Sequence, residues 1–241
     1  DVDFLTKTLT GADAVYCMIP PNFAAENQVD YYSKTGDNYA KAISKSGVNR
    51  VVHLSSYGAH LEKGTGFIVG SYRVEQIFNA LPNVSVTHIR PGYFYYNLLH
   101  FTGMIKGHGF IASNFGGEDK LAMASPLDIA AAIAEEIVKS VSQNEVRYVV
   151  SDDKTCNEIA SVLGKAIGIP DLQWKTFTNE QVQTAMEARG MSAATATAMV
   201  EIGDATHKGL LREDYDLQKS IEMGKVKIED FAKEFAIAFN K

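Results

Sequence analysis

The stretch VDYYSKTGDNYAKAISKSGVNRVVHL, residues 29–54, decides how the chain is read. Val29, Tyr32, Tyr39, Ala40 and Ile43 recur on one face of a helix, with Gly36 as its weak point. Gly47 stops that helix, and Arg50 to Leu54 (RVVHL) follows as a strand. Working outward, Phe4, Leu5 and Leu9 predict a short helix ending at Gly11. The apolar run Ala14 to Ile19 predicts a buried strand closed by Pro20 and Pro21. Downstream, Val74, Ile77, Phe78 and Leu81 mark another helix, and Val84 to Ile89 (VSVTHI) alternates like a strand until Arg90-Pro91-Gly92 stops it. Ser125-Pro126 opens a further helix as N-cap and first-turn proline, with Asp128 favourable to its dipole, and Val146 to Val150 is a fourth strand. Parallel strands require crossover connections. This alternation therefore predicts an α/β fold, a doubly wound and mostly parallel sheet with helices on both faces.

From about Ser151 the rhythm weakens. Cys156 to Ile167 reads as helix, Leu172 to Phe177 as strand, and Asn179 to Leu211 as mostly helix. Ile228 to Phe239 places Phe231, Phe235 and Phe239 four apart, an aromatic stripe best explained by core packing. The expected organisation is a sheet domain over residues 1–150 and a smaller, mostly helical lobe over 151–241, both parts of one compact unit.

Composition excludes several functions. With 46% hydrophobic residues in 241, the chain can bury a sizeable core. Its 23 basic and 29 acidic residues give a net charge of -6 without blocks, which disfavours direct binding to nucleic acid. Cys17 and Cys156 form no Cys-x-x-Cys arrangement, so neither a disulfide framework nor a zinc site is signalled, and a reducing cytoplasm fits. None of His53, His60, His88, His100, His108 and His207 stands at metal-ligand spacing from a carboxylate; His53 and His88 fall within strands and read as core or cleft residues. No apolar run reaches the ~20 residues that span a bilayer, and no leader opens the chain. No Gly-x-Ser-x-Gly elbow is present.

Five segments in order, LTGADAVYCMIPP (9–21), RVVHLSS (50–56), IRPGYFYYNLL (89–99), DIAAAIAEEI (128–137) and IEDFAKEF (228–235), resemble the NmrA-like branch of the atypical short-chain dehydrogenases. The resemblance implies a Rossmann-type domain binding NADP or NAD, with NADP favoured by the family. It also implies an opening strand, Gly-rich turn and helix that cradle the pyrophosphate. No stretch matches that opening. Gly64-Thr65-Gly66 and Gly103, Gly107 and Gly109 do not lie between a strand and a helix and read as loops. The first strand then corresponds to the fourth of the family's sheet. Roughly 50 residues are expected upstream of Asp1, at about 30 per βαβ unit, and without them the strand at Ala14 to Ile19 would be a bare apolar edge.

Open α/β sheets bind ligands outside the carboxyl ends of their strands. The resemblance places Met18, Ile19 and Pro20 along the adenosine and pyrophosphate side of the cofactor, and Pro91, Gly92, Tyr93 and Phe94 against the nicotinamide, with Gly92 allowing close backbone approach. It places Ser55, with Ser56, near the nicotinamide as a hydrogen-bonding group for a carbonyl substrate, and Asn97 facing the cleft. The plainer readings are strand ends, loop caps and a helix cap. The superfamily's proton relay, Tyr-x-x-x-Lys, maps onto Phe67 and Ser71, so the relay is lost. Tyr57 is the remaining candidate hydroxyl, its plainer reading being a surface loop tyrosine.

Two functions follow from the resemblance. The first is an NAD(P)H-dependent oxidoreductase passing hydride to a quinone or another small electron-poor acceptor, which needs little acid help. The second is a non-catalytic dinucleotide sensor that binds a protein partner such as a transcription factor. A third, a module without cofactor, ranks last.

Overall fold

The computed structural model describes residues 1–22, 24–219 and 221–241. In chain order the first half contains α1 (Val2–Leu9), β1 (Val15–Cys17), α2 (Gln28–Ser46), β2 (Arg50–Leu54), α3 (Ile68–Asn79), β3 (Ser85–Pro91) and β4 (Tyr93–Phe94). A 3-10 turn (Tyr95–Phe101) leads into α4 (Thr102–His108), β5 (Ile111–Ser113), β6 (Lys120–Ala124), α5 (Pro126–Ile137) and β7 (Glu145–Val149). The chain continues as β8 (Asp152–Thr155), α6 (Cys156–Ile167), β9 (Trp174–Thr176), α7 (Asn179–Ala188), α8 (Ala193–His207), α9 (Glu213–Asp216) and α10 (Ile228–Phe239).

The main sheet has the order β1-β2-β3-β7, all parallel. The two central strands, β2 and β3, are buried along almost their whole length, whereas the edge strands β1 and β7 expose Tyr16 and Val146. Val51, Val74, Val86 and Phe78 pack with Ile43 on the α2–α3 side, while Val52, Ile89 and Val149 pack against Ile129 and Ala132 of α5 on the other. The register sets Cys17 beside His53 and His53 beside His88, so the carboxyl ends of three strands open together.

Several sequence expectations change for physical reasons. Gly36 is not a weak point: α2 runs unbroken through it, and a Cβ there would sit 3.0 Å from Val74 Cγ2, so the missing side chain lets α2 meet α3. Gly70 does the same from α3, against Tyr32, where a Cβ would sit 2.8 Å from that residue's Cβ. Gly103 and Gly107 lie inside α4, not in loops, and Gly109 ends that helix in the left-handed region at φ 74°. Gly64 and Gly66 do lie in the turn before α3, both at positive φ.

Two small sheets complete the fold. Strands β4, β6 and β8 form one, with β4 parallel and β8 antiparallel to β6; β5 and β9 pair in parallel as the other. The Phe231–Phe235–Phe239 stripe serves packing: Phe231 stacks on Tyr95 at 5.4 Å and Phe235 on Phe239 at 6.4 Å. Phe231 and Phe235 join a core drawn from the 3-10 turn, α6 and α10. Among the described residues no helix is long and apolar enough to cross a membrane.

Candidate functional site

The loops leaving β1, β2 and β3 build the carboxyl-end rim. At the first, Cys17 and Ile19 turn into the core while Met18 and Pro20 stay exposed, Met18 at 42%. The Tyr39 hydroxyl donates to the Met18 carbonyl at 3.3 Å and fixes this shelf to α2. The shelf is apolar and open to solvent at Met18 and Pro20.

At the second, Ser55 is buried and its hydroxyl donates to Glu75 Oε1 at 2.5 Å. Its proton is thereby committed to α3 and not presented to a carbonyl substrate. Ser56 donates to the Tyr57 carbonyl at 3.1 Å, and the Tyr57 amide donates to the Pro91 carbonyl at 3.1 Å, tying the second loop to the third. Tyr57 is not a surface tyrosine: it is half-buried, edge-on to Tyr148 and Tyr215 at 6.4 and 5.9 Å. Burial is the largest influence on its phenol and pushes the pKa far up; Arg212 opposes this, and nearby carboxylates add to it. The phenol therefore stays protonated at neutral pH and can donate a hydrogen bond without ionising.

At the third, Gly92 is required, but for packing within the fold. A Cβ there would collide with the carbonyl of Ala122 on β6, and the Gly92 amide donates to Val149 at 3.0 Å. Pro91 is buried. Tyr93 and Phe94 are half-buried and pair with Met123 and Ala124 across β4–β6, and burial raises the Tyr93 phenol pKa. Asn97, on the 3-10 turn, is half-buried, and its side chain makes no hydrogen bond among the described residues.

Beneath the rim lies a charged network that no sequence spacing signals. Arg90 donates to both carboxylate oxygens of Glu75, at 3.0 and 2.7 Å, and to Asp214 at 2.8 Å and Tyr148 at 3.1 Å. Tyr148 in turn donates to Asp214 at 2.6 Å. The network joins α3, β3, β7 and α9, so the rim loops are anchored to the C-terminal segment. His53 and His88 are also fully buried, with their Nδ1 atoms 2.9 Å apart. His88 Nε2 faces Asn79 Oδ1 at 3.1 Å, which places the His88 proton on Nε2 and makes His53 the donor between the rings. This pair is core.

A cleft of about 270 Å³ opens beside the rim, where Ala25–Val29 at the start of α2, Gly66 and Phe67 before α3, and Ala194, Thr195, Thr197, Ala198 and Glu201 of α8 converge. None of the residues expected from the sequence as cofactor-binding or catalytic lines it. Phe67, the position aligned with the superfamily's tyrosine, does. Gly66 builds the cleft's inner corner: it donates to Glu201 Oε2 at 3.2 Å, and a Cβ on it would strike the Ala198 carbonyl. A second hollow of about 340 Å³, lined by Asp13, Asn49, Arg50 and Asn83, lies at the opposite, amino ends of the strands. Open parallel sheets do not bind their ligands there.

A parallel sheet with crossover helices and a carboxyl-end rim defines a Rossmann-type α/β protein. The chain matches the model of the NmrA-like family over residues 1–232 and belongs to that family. In fold it is similar to an NADPH-dependent quinone oxidoreductase from Escherichia coli, solved with NADPH, at 19% identity and a TM-score of 0.80, covering 97% of this chain and 80% of that one. A triphenylmethane reductase from Citrobacter sp., solved with NADP(H), matches at 18% identity and a TM-score of 0.77, covering 98% and 81%. A nucleoside-diphosphate-sugar epimerase from Staphylococcus aureus matches at 11% identity and a TM-score of 0.75, covering 97% and 80%. No curated protein matches the sequence significantly.

Proposed function

We propose that this protein is an NAD(P)H-dependent reductase that passes hydride to a quinone or another small electron-poor acceptor. The cleft beside Phe67 carries the reading. It sits at the carboxyl ends of the parallel strands, and its lining holds no tyrosine or lysine to relay a proton. An acceptor that takes hydride readily suits such a site better than a ketone or aldehyde, whose oxygen must be protonated as the hydride arrives.

The residues that would hold the cofactor are the Met18–Pro20 shelf on one side and Pro91–Phe94 on the other, with Asn97 as a free amide facing the cofactor. Bound there, the nicotinamide supplies the hydride. The chain's own part is positioning. The Tyr57 phenol offers a hydrogen bond as a neutral donor, and Ser55, held by Glu75, fixes the loop that carries Tyr57. Residues 151–241 supply the acceptor side through α8. The two reductases of similar fold, both solved with NADPH or NADP(H), favour this reading over a dinucleotide sensor acting through a protein partner.

Turnover tests it. NADPH absorbance should decay when simple quinones are added to the protein, and Phe67→Ala should change the KM for the quinone more than that for NADPH. Saturable NADPH binding with no oxidation across a quinone panel would overturn the reductase reading.

A further inference from the structure

Helices α7 and α8 are fastened to the molecule differently from the rest. Every other α-helix sends at least one apolar side chain into or against one of the four buried clusters of the fold, and α7 and α8 send none among the described residues. Their own buried apolar residues are Val182, Ala196, Val200 and Ala205. What ties this hairpin to the body is polar and falls on two faces of α8. Val200, Gly203 and His207, three and four apart, share the face toward the segment between β5 and β6. There the buried Asn114 donates through Nδ2 to the Val200 carbonyl and to Asn179 Oδ1, both at 2.8 Å. A Cβ on Gly203 would collide with the Asn114 amide, and His207 Nδ1 lies 2.8 Å from Asp119 Oδ2. Ala194, Ala198 and Glu201 share the other face and line the cleft. On that side the one hydrogen bond to the body, among the described residues, runs from the Gly66 amide to Glu201 Oε2 at 3.2 Å. Elements with few buried apolar contacts open at low free-energy cost.

We propose that the α7–α8 hairpin is a hinged cover over the cleft, with Asn114 and Gly203 as its pivot and the Gly66–Glu201 hydrogen bond as its latch. That the cover closes on a hydride acceptor is the part that rests on the reductase reading above. The structure is the latched form. Swinging about the Asn114 face breaks the latch and widens the cleft without exposing any of the four apolar clusters. Gly209, at φ 71°, redirects the chain just after α8 and separates the cover from the anchored α9. The Met18–Pro20 and Pro91–Phe94 segments belong to the sheet and stay in place, so an acceptor can enter and leave while the dinucleotide remains bound. Covers of this kind move on the order of microseconds to milliseconds.

The test is a distance measured on the full-length protein. Ala188→Cys, at the far end of α7, and Gln76→Cys, on α3, are exposed positions for spin labels, whereas the natural Cys17 and Cys156 are buried. Pulsed electron paramagnetic resonance should give two distances, a shorter latched one and a longer open one. Adding Glu201→Ala should move their ratio about tenfold toward the longer, the worth of one hydrogen bond to a charged group, and leave the melting temperature unchanged. A single narrow distance, or a ratio that Glu201→Ala leaves as it was, would overturn the proposal. Adding 1,4-naphthoquinone with NADP, a pair that cannot react, should favour the shorter distance. A cover that opens and latches but ignores the quinone stands, and sinks the acceptor reading of the cleft; quinone turnover by a protein with one fixed distance sinks only the cover.

Discussion

Arg90 grips Glu75 through two parallel hydrogen bonds, at 3.0 and 2.7 Å, with both side chains buried under the carboxyl ends of β2 and β3. Planar guanidinium and carboxylate match in this geometry, and each satisfies the other in a place that water does not reach. Removing Glu75 leaves the buried guanidinium only Asp214 and Tyr148, on its Nη1 side, with Nε and Nη2 unpaired. Glu75→Ala is therefore expected to destabilise the fold by about 3–5 kcal/mol in urea unfolding, and also to free the Ser55 hydroxyl. A loss below about 1 kcal/mol, the range of exposed pairs, would contradict the role given to this pair.

The buried histidines make stability depend on pH. Burial lowers the His88 pKa to about 4 and holds that of His53 well below its usual value, with the neighbouring ring adding to the effect on His53. Between about pH 4 and pH 6.5 the unfolded chain binds more protons than the native one, so stability is complete above about 6.5 and falls as the pH drops through that window. Urea midpoints at about pH 7.5 and about pH 5 should differ by an amount worth about 4 kcal/mol, about 2 from each histidine. His88→Gln should remove roughly half of the difference and leave the share of His53. Coincident midpoints for the natural protein would contradict the neutral pair.

Glycines inside helices separate packing from propensity. Gly70→Ala puts a methyl against the Tyr32 ring and backbone-side carbons at 2.8–3.3 Å. It should cost about 1–2 kcal/mol despite the gain in helix propensity. Gly103→Ala, with nothing within 4 Å, should instead stabilise by about 0.5–1 kcal/mol. Thermal melts of the two variants should move in opposite directions. A shared direction would mean that the α2–α3 contact is not as close as described.

What the sequence made legible followed burial. Strand β2 and helices α6 and α10 begin and end at the residues their apolar periodicity marks, because each presents one continuous buried face. Strands β4, β6 and β8 gave no such signal. KLAMA is buried along nearly its whole length without alternating, and the β8 strand DDKT is polar because Asp152 accepts from the Tyr95 hydroxyl and the Ile228 amide. The rim positions were legible from where strands stop. The Glu75–Arg90–Asp214 network was not, since its members are 15 and 124 residues apart and share no periodicity. Gly92 was singled out, yet the contact that demands it is with β6, which the sequence did not reveal.

That contact can be tested directly. Gly92→Ala forces the β3–β4 turn away from the Ala122 carbonyl, with a cost of about 1–3 kcal/mol as in other overpacked sites. Because Pro91 and Tyr93 would shift together, NADPH affinity should fall along with the melting temperature. An unchanged melting temperature would show that Gly92 is not held by β6.

The central claim is that the rim from Met18 to Phe94 holds a nicotinamide dinucleotide. A fluorescence titration of the full-length protein with NADPH, repeated with NADH, addresses it most directly. The account predicts saturable, single-site binding of NADPH that is weakened by Met18→Ala, whose side chain is exposed, with little change in melting temperature; no saturable binding of either dinucleotide by the folded protein would contradict it.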